Sequence, residues 1–529
     1  MANYDIVALG GGHNGLTAAA YMAKAGKKVL VLERKPHIGG GVSTRELITP
    51  GYWHDEHSNV HIMIQGNPML RDDELGLLSK FGLDYIYPEL PWATVFEDGR
   101  TIRVWKDLDR TCQGISEFSP RDADAYRKFV QASQAVLPMF MAGLYQPPFP
   151  MGAFVAMMDQ SDEGRFLLDV MSRSALDVAN QYFESDLLKL HLVRLVTENL
   201  QMPDELGTGM GAFLMPGIVH TYGVSMPRGG SGELSRALVR CIEHHGGEVR
   251  CSAEVARVTT SAGRATGVEL TTGEHFVAKD AVIGAIHPRV LRNFVVGVPE
   301  PVLQRAERVT PSTFSICLTH MALKKQARLK AREAEGAVLC ELMSTDSLHE
   351  MLLDYDRLRR GAIPERRLIA GGDNTANDPT RAPAGGGVFY GVTFAPYALH
   401  EGGAARWDEI KERVADESLA YYRKFYDGLD DDNIIGRLVR SPLDHERDSP
   451  ASFIRGDIHG AAPFMYQTVG HRPTPDLGHF TVPGVEALYL VGPFMHPGGG
   501  VFGAGRATAI QMMDDMDIDY DKVLAGAVR

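Results

Sequence analysis

Paired cysteines are missing from this sequence. The five cysteines stand at scattered positions, are odd in number and contain no Cys-x-x-Cys spacing. This pattern excludes a small disulfide-bonded scaffold, argues against a dithiol redox enzyme and predicts free thiols in a reducing compartment. The first residues also lack a basic region followed by an apolar run, so we expect no signal peptide and a cytoplasmic location.

Positive charge is scarce as well. Lysine and arginine number 54 against 67 aspartates and glutamates, which gives a net charge of −13. A chain of this charge is not attracted by phosphate backbones or anionic lipid head groups, so we expect no nucleic acid partner. Any peripheral membrane contact is expected to be hydrophobic. The apolar share of 44% and the charged share of 23% are those of an ordinary globular protein.

The strongest local pattern lies in the first forty residues. Residues 4–9 read as a short buried strand, 10–15 (GGGHNG) fit G-x-G-x-x-G, 16–25 read as a helix and 28–32 as a second strand. Glu33 follows that strand, 18 residues after the third glycine. The order strand, glycine loop, helix, strand and acid predicts a dinucleotide-binding unit in which the acid accepts hydrogen bonds from ribose hydroxyls.

Each position of the glycine loop has a physical task in that prediction. Gly10 permits a tight turn, Gly12 lets the backbone approach a pyrophosphate, and Gly15 lets the helix pack closely on the strand. His13 and Asn14 complete the predicted loop. The helix N-terminus offers free N–H groups and a partial positive charge to the phosphates.

A second glycine cluster distinguishes between the possible dinucleotides. Arg34 follows the ribose acid directly, and Gly40 and Gly41 stand in a glycine run a few residues later. Glycines just beyond the ribose acid are typical of FAD domains of the glutathione-reductase type, so FAD is preferred over NAD. We therefore expect FAD and no built-in NAD(P)H domain.

The end of the sequence repeats the strand–loop–helix pattern. Residues 487–491 read as a buried strand, 492–505 form a glycine-rich loop, and 506–516 read as a helix. We predict that Gly492, Gly500 and Val501 approach the cofactor, where the helix N-terminus stabilises negative charge on reduced flavin. The alternative is a loop whose glycines serve only its turns.

These segments together resemble the phytoene desaturase, carotenoid isomerase and retinol saturase group of FAD-dependent oxidoreductases, and most of all its pyridine-nucleotide-disulphide-oxidoreductase-like branch. The resemblance is carried, in the same order along the chain, by residues 10–41, 227–238, 455–460 and 488–505. It implies FAD bound without NAD(P) and a C–C bond as the site of chemistry. It also implies that residues after Gly51 line the flavin.

In this chain the stretch that the resemblance places beside the flavin contains His57 and Ser58. The resemblance further implies that the backbone of Val255 contacts the adenine. Many relatives carry a small apolar stretch where His57, Ser58 and Asn59 stand, so this polar departure leaves an amine or alcohol substrate open.

The fold class expected is α/β. We predict a glutathione-reductase-type FAD-binding Rossmann domain with an interleaved α+β substrate or lid domain. The FAD-binding domain is assigned to residues 1–70, 226–297 and 440–529, and the substrate or lid domain to residues 71–225 and 298–439.

One apolar stretch allows three interpretations. Residues 136–158 carry no charge and are numerous enough to span a bilayer, but Pro138, Pro147, Pro148 and Pro150 are expected to break a helix. We therefore predict no spanning helix. Core packing, the wall of an apolar tunnel and a shallow membrane-contacting patch remain open.

Histidines are the candidate catalytic residues. His496 stands in the C-terminal glycine loop, where it can exchange a proton beside the flavin or simply shape the turn, and His57 is the second candidate. His54, His57 and His61 have a spacing that resembles a metal site, but in a strand the first two point to opposite faces. We expect no metal.

The sequence therefore predicts an FAD-dependent oxidoreductase that desaturates a hydrophobic or unsaturated small molecule, with isoprenoids among the candidates, by hydride transfer from C–H to flavin. Dioxygen or a quinone is the expected electron acceptor. The alternatives are an amine or alcohol oxidase on the same scaffold, a redox-neutral double-bond isomerase, and a flavin-bearing interaction protein without turnover. The oligomeric state is open.

Overall fold

The computed structural model describes residues 3–526. The strands in that range are β1 Asn3–Leu9, β2 Val29–Leu32, β3 Thr44–Glu46, β4 Trp53–Asp55, β5 Tyr85–Ile86, β6 Trp92–Phe96, β7 Thr101–Val104, β8 Met226–Pro227, β9 Glu248–Arg250, β10 Val255–Ser261, β11 Arg264–Leu270, β12 His275–Gly284, β13 Ser315–Leu323, β14 Arg328–Leu329, β15 Leu339–Met343, β16 Ile369–Asp373, β17 Gly387–Ala395, β18 Tyr426–Asp427, β19 Ile434–Arg440, β20 Thr481–Val482 and β21 Val485–Leu490.

The α-helices in the same range are α1 His13–Lys24, α2 Pro68–Arg71, α3 Leu108–Ser116, α4 Pro120–Leu144, α5 Met151–Met158, α6 Asp162–Ser172, α7 Ala175–Tyr182, α8 Asp186–Thr197, α9 Gly209–Tyr222, α10 Gly232–His244, α11 Leu291–Phe294, α12 Glu300–Ala306, α13 Leu348–Arg359, α14 Trp407–Phe425, α15 Pro442–Asp448, α16 Ala504–Asp515 and α17 Tyr520–Leu524.

The first of the two large sheets has the strand order β10-β11-β21-β12-β1-β2-β9, with β20 beside β21. The strands β21, β12, β1, β2 and β9 run parallel, and β10 and β11 add an antiparallel edge. The residues of β2 are all buried, as expected for a parallel strand that is covered on both faces. Helices α1, α10 and α16 pack together beside this sheet. The predicted α/β Rossmann-type architecture is confirmed.

The second large sheet has the order β19-β13-β17-β16-β15-β6-β7 and is antiparallel except where β15 pairs with β6. Alternate residues of its strands point to opposite faces. Phe389 packs with Tyr422 of α14, whereas Tyr390 and Val392 belong to a core shared with helices α4, α7, α8 and α9.

The strands of the two sheets follow the sequence segments that were assigned to two domains. Every strand of the first sheet falls within residues 1–70, 226–297 or 440–529, and the strands of the second sheet fall within 71–225 and 298–439 except for Arg440, the last residue of β19. The division of the chain into a cofactor domain and a substrate domain at these boundaries stays a prediction.

The expected helix break at Pro138 is wrong. Helix α4 continues through this residue to Leu144, although proline removes one intrahelical hydrogen bond and costs about 3 kcal/mol. Packing of α4 on α9 offsets that cost: the rings of Phe129 and Phe213 meet edge to face at 5.4 Å, and Ser133 Oγ donates to the Leu214 carbonyl. The other three prolines of the stretch lie between α4 and α5.

The apolar stretch 136–158 contains core residues, a cavity-lining residue and exposed residues. Val136 and Met141 are buried in the core, and Phe140 lines the large cavity described below. Met139, Phe149, Val155 and Met157 are exposed to between 42% and 51% of their surface. Among residues 3–526, no helix combines the length and the apolar character that crossing a membrane requires.

One buried ion pair ties the segments of the first sheet to those of the second. Arg381 and Asp55 are both fully buried, with Nη2 2.7 Å from Oδ2. The other carboxylate oxygen of Asp55 accepts hydrogen bonds from Thr44 Oγ1 and from the Ser231 backbone N–H. Since both charges are out of reach of water, removing one partner leaves the other uncompensated.

We predict that Arg381→Met lowers the free energy of unfolding by about 3–5 kcal/mol, because it leaves the Asp55 carboxylate buried without its cation. Urea unfolding followed by circular dichroism measures the change. The matched control is Arg292→Met, which removes an arginine that binds Glu300 and Glu307 at the surface, and we expect unfolding of that variant to be unchanged. Equal unfolding midpoints for both variants would contradict the assigned role.

Candidate active site

A cavity of about 580 Å³ lies between the two large sheets. On one side it is lined by Leu9, Leu32 and Gly492, which stand at or just beyond the carboxyl ends of the parallel strands β1, β2 and β21. On the other side its wall consists of β15, β16, β17 and the helices α8 and α9. The volume is within the range of small-molecule sites, and the position is the one where open α/β sheets bind ligands.

The residues predicted to hold the cofactor all line this cavity. They are Gly10, Gly12, His13, Asn14, Gly15, Glu33, Arg34, Gly40, Gly41, Ser58, Val255, Gly492, Gly500 and Val501. They come from five separate stretches of the sequence, so their convergence is a property of the fold. We call this part of the cavity the cofactor half.

The glycines of the first loop fit a bound dinucleotide. Gly10 has a φ of +91°, and a Cβ on Gly15 would stand 2.6 Å from the Gly10 carbonyl oxygen, so both are required by the turn and by packing. Gly12 has a φ of −71°, and a Cβ there would meet no described atom within 4 Å. The protein alone therefore has room for a side chain at Gly12. A phosphate placed against the backbone would occupy that room.

Backbone hydrogen bonds hold the Glu33 carboxylate at the carboxyl end of β2. Oε2 accepts from the Gly11 N–H at 2.7 Å, and Oε1 accepts from the Lys35 N–H at 2.8 Å. A Cβ on Gly40 would stand 3.1 Å from the Gly12 Cα, so the second glycine cluster packs against the first. These residues fit the ribose and pyrophosphate of FAD.

Arg472 fixes the C-terminal loop of the cavity, residues 492–502, from behind. Its side chain is buried, and the guanidinium donates hydrogen bonds to the carbonyls of Ala461, Pro493 and Met495 at 2.8–3.1 Å. Burial lowers the pKa of Arg472 to about 10, so the guanidinium stays charged at neutral pH.

Helices α1 and α16 begin close to each other beside the cavity. A Cβ on Gly505 would collide with the Asn14 carbonyl oxygen, and the Gly505 N–H lies 3.4 Å from Asn14 Oδ1. Within the described range, neither helix has a side-chain hydrogen bond at its N-cap, Gly12 or Gly503. Two helix N-termini therefore meet at one side of the cofactor half, and their dipoles favour negative charge there, although Asn14 Oδ1 accepts from one N–H of α16.

The two candidate catalytic histidines occupy different environments. His57 lines the cavity, and its ring contacts those of His445 and Phe453 edge to face at 4.9 and 5.1 Å. Burial lowers its pKa well below 6.5, so the ring is neutral. His496 is not among the lining residues: its Nε2 lies 3.4 Å from the Gly143 carbonyl, and burial lowers its pKa to about 4. A catalytic role for either stays a prediction, and the position of His496 does not support direct proton exchange.

The histidines spaced like a metal site serve separate contacts. His54 packs against the ring of His320 at 5.7 Å, and His61 Nδ1 lies 2.8 Å from the Tyr85 hydroxyl. Across the part of the chain that the structure describes, no group of three or more His, Cys, Asp or Glu side chains is placed to hold a metal ion.

Sequence reasoning gave a tunnel wall only as one interpretation of residues 136–158, and it did not identify most of the other half of the cavity, which we call the substrate half. Its wall includes Phe140, Leu195, Met210, Leu214, Met215, Ile218, Ile316, Tyr390 and Val392. The density of methionine was the available signal, since ten of the 22 methionines lie between 136 and 230. Residues 449–453, which line the cofactor half, have no comparable signature.

We predict that Gly12→Ala reduces the FAD content of the purified protein while leaving the thermal unfolding of the cofactor-free protein unchanged. The reason is that the new methyl group meets bound FAD but no described protein atom. Gly15→Ala is the matched control: its Cβ meets the Gly10 carbonyl oxygen, so the cofactor-free protein itself should be destabilised, by about 1–3 kcal/mol. Full FAD retention in Gly12→Ala would contradict the phosphate position.

Comparison with known proteins identifies the family. The sequence pattern described as "Flavin containing amine oxidoreductase" matches residues 15–360. One of the subunits of limonene dehydrogenase from Castellaniella defragrans is 26% identical, with 98% of this chain and 97% of that protein aligned. Phytoene desaturase (lycopene-forming) of Pantoea ananas is 25% identical over 96% of this chain and 99% of that protein. Pyridine nucleotide-disulfide oxidoreductase domain-containing protein 2 of Rattus norvegicus is 28% identical over 96% and 93%.

Solved structures agree on the fold. Cyclohexylamine oxidase from Brevibacterium oxydans superposes with a TM-score of 0.58 at 14% identity, covering 98% of this chain and all of that one. A triple mutant of putrescine oxidase superposes with a TM-score of 0.61 at 13% identity, covering 97% and 99%. The resemblance drawn from the motifs and the FAD cofactor are both confirmed. The chain belongs to the flavin-containing amine oxidoreductase family and is an FAD-dependent oxidoreductase.

Proposed function

We propose that this protein is an FAD-dependent dehydrogenase that introduces a C=C bond into a hydrophobic small molecule. The observation that carries the proposal is the apolar wall of the substrate half, which is continuous with the cofactor half in one cavity. Helix α9 contributes Met210, Leu214, Met215 and Ile218 to this wall. Methionine side chains adapt to irregular apolar shapes, and burial of apolar ligand area contributes about 25 cal/mol per Å².

The chain's own residues contribute binding, orientation and the exclusion of water. FAD, when bound, supplies the hydride acceptor. Phe140, Leu195 and Val392 cover the substrate half from three different elements, so a substrate held there is shielded from solvent and kept in contact with the cofactor half. The names of two relatives, which refer to limonene and phytoene, support a hydrophobic substrate.

An amine or alcohol oxidase is the second candidate. It is favoured by the family description and by the polar side chains of Ser58 and Asn59, which line the cavity. Asn59 Oδ1 is buried and has no hydrogen-bond partner among the described residues, so a polar substrate group has an acceptor available.

We further propose that dioxygen or a quinone re-oxidises the cofactor. The proposal is supported by the position of the two glycine loops: residues 498–503 repeat the spacing G-x-G-x-x-G, but they line the same cavity as residues 10–15 and so belong to the same cofactor site. An NAD(P) site is therefore not expected, and the electrons must leave to a diffusible acceptor.

The proposed reaction is tested anaerobically with the FAD-loaded protein and with limonene and phytoene as probes. We expect loss of the visible absorbance of oxidised flavin and a product that lacks two hydrogens, followed by recovery of the absorbance on addition of oxygen or a soluble quinone. Leu214→Asp should abolish reduction without loss of FAD, because it places a charge in the apolar wall, whereas Leu206→Asp at an exposed position should not.

Other outcomes of this experiment would contradict dehydrogenation. Reduction by added amines or alcohols but by no hydrocarbon, with an imine or a carbonyl compound as the product and no new C=C bond, supports the oxidase. A product of unchanged mass without any acceptor supports a double-bond isomerase. Flavin that no probe reduces supports an interaction protein without turnover.

We also propose a cytoplasmic protein that contacts a membrane surface through the exposed apolar side chains of the stretch 136–158. Two observations support this contact: Phe149, Val155 and Met157 face solvent around the uncharged helix α5, and Phe140 of the same stretch lines the substrate half. A hydrophobic substrate could thus pass between bilayer and cavity. The acidic residues Asp159, Asp162 and Glu163 follow the patch, so zwitterionic lipid is preferred over anionic lipid.

We predict that the protein floats with phosphatidylcholine vesicles in a density gradient and that the double variant Phe149→Ser, Met157→Ser reduces the floating fraction severalfold, because apolar area leaves the bilayer. Addition of phosphatidylserine should not increase binding. The control is Val296→Ser, which removes an apolar side chain that is 74% exposed outside the patch. Equal flotation of both variants would contradict the docking surface.

A further inference from the structure

Two glutamates interrupt the apolar wall of the substrate half, and a buried arginine lies behind them. Arg194 lies on α8 and is fully buried, Glu198 caps the end of the same helix, and Glu341 lies in β15 with 1% of its surface exposed. Arg194 Nη1 donates to Glu198 Oε1 at 2.7 Å, and Nη2 is 3.1 Å from Glu341 Oε2. We call these three residues the carboxyl cluster.

The carboxyl cluster faces the cavity. Both Glu198 and Glu341 are among the lining residues, and the Glu198 side chain keeps 29% of its surface exposed. The guanidinium of Arg194 stacks on the ring of Phe394 at 3.9 Å, which fixes its plane. The charged groups are therefore held rigidly beside the space that a substrate occupies.

Several polar atoms of the cluster lack partners. Within residues 3–526, Glu341 Oε2 and the Arg194 atoms Nε and Nη2 make no hydrogen bond, because the 3.1 Å contact has the distance of an ion pair without hydrogen-bond geometry. Buried polar atoms are usually satisfied, and a buried ion pair contributes little to stability after its desolvation cost. A purely structural role therefore leaves these atoms unexplained, whereas a ligand explains them.

The charge of the cluster restricts that ligand. Burial, and after it the neighbouring Glu198, raises the pKa of Glu341 well above its usual value, so the neutral form of Glu341 is favoured. One arginine and one carboxylate then balance, and the cluster is neutral. An anionic ligand would bring an uncompensated charge into a buried site. A cationic ligand would have to displace the proton of the Glu341 carboxyl group.

We propose that the carboxyl cluster binds the hydroxyl group of an otherwise apolar substrate. The inference rests on the proposed function and narrows its substrate class to alcohols. A hydroxyl both donates and accepts hydrogen bonds, so it can donate to a Glu198 oxygen and accept from the protonated carboxyl of Glu341. A carbonyl group can only accept, and an ammonium group can only donate.

The cluster is close to the C-terminal cofactor loop. The Glu198 carbonyl accepts a hydrogen bond from His459 Nε2 at 3.1 Å, and a Cβ on Gly499 would collide with the backbone of His459. A single residue therefore separates Glu198 from the loop that contains Gly500. A hydroxyl bound at the cluster places its end of the substrate towards this loop, with the apolar remainder along α9.

The test compares ten-carbon ligands on the FAD-loaded protein by calorimetry under anaerobic conditions. The probes are decane, 1-decanol, decylamine and decanoate, which share a chain and differ at one end. We expect 1-decanol to bind about tenfold tighter than each of the others, the effect of a charge-assisted hydrogen bond. Equal binding of decane and 1-decanol, or tighter binding of decylamine or decanoate, would overturn the proposal.

Two variants assign the preference to the cluster. Glu198→Met and Glu341→Met each leave Arg194 with one glutamate. That glutamate balances the charge of Arg194 as a carboxylate, so the protonated carboxyl group is lost. We expect both to bind 1-decanol no more than about twofold tighter than decane, with decane affinity unchanged. The control Glu205→Met removes a carboxylate that accepts from Met202 N and Thr313 Oγ1 outside the cavity and should keep the preference.

Two further measurements keep the outcomes distinct. FAD content and thermal unfolding of each variant show that folding is retained, and a preference that persists in both cavity variants would overturn the assignment. Failure of hydride transfer to hydrocarbons would contradict the proposed function and leave the binding preference unaffected, because binding is measured without turnover.

Discussion

The close approach of helices α1 and α16 is the constraint on which the rest of the structure depends. Gly505 stands against the Asn14 carbonyl with no room for a Cβ, so the last long helix of the chain packs directly on the first. The contact brings the loop 492–502 to the same cavity as the loop 10–15. The segments that form the second sheet and its helices lie between these two loops in the sequence, so the chain leaves the first sheet and returns to it.

Those inserts complete the site because they are fixed to the scaffold at buried points. Arg381, which belongs to the segments of the second sheet, pairs with Asp55. Thr44 and Ser231 also donate hydrogen bonds to Asp55. The second sheet is thereby kept over the carboxyl ends of the parallel strands, and one cavity contains both the cofactor half and the substrate half. A chain with a net charge of −13 still favours an anion there, because two helix N-termini supply local positive potential.

The cofactor half could be predicted from the sequence, and the substrate half could not, for a physical reason. Gly10 is required by its positive φ and Gly15 by a close backbone contact, and Gly12 leaves room for a phosphate; all three belong to one βαβ unit, so short-range spacing reveals them. The wall of the substrate half instead joins residues more than a hundred positions apart, such as Met215 and Glu341. Nothing local distinguishes them from core residues. Pro138 shows the same limit, since tertiary packing on α9 overrides a local helix-breaking signal.

The carboxyl cluster shows how the two halves divide the work. Replacing a buried ion pair by apolar residues of similar volume is often neutral or stabilising, so Arg194, Glu198 and Glu341 are not explained by fold stability. Their unpartnered atoms are found in the insert-derived wall and not in the glycine loops, which every dinucleotide requires in the same form. Chemistry is thus set by the scaffold that holds FAD, and substrate choice by the inserts. Polar substitutions on α8 and β15 are the changes by which this fold would acquire a different substrate.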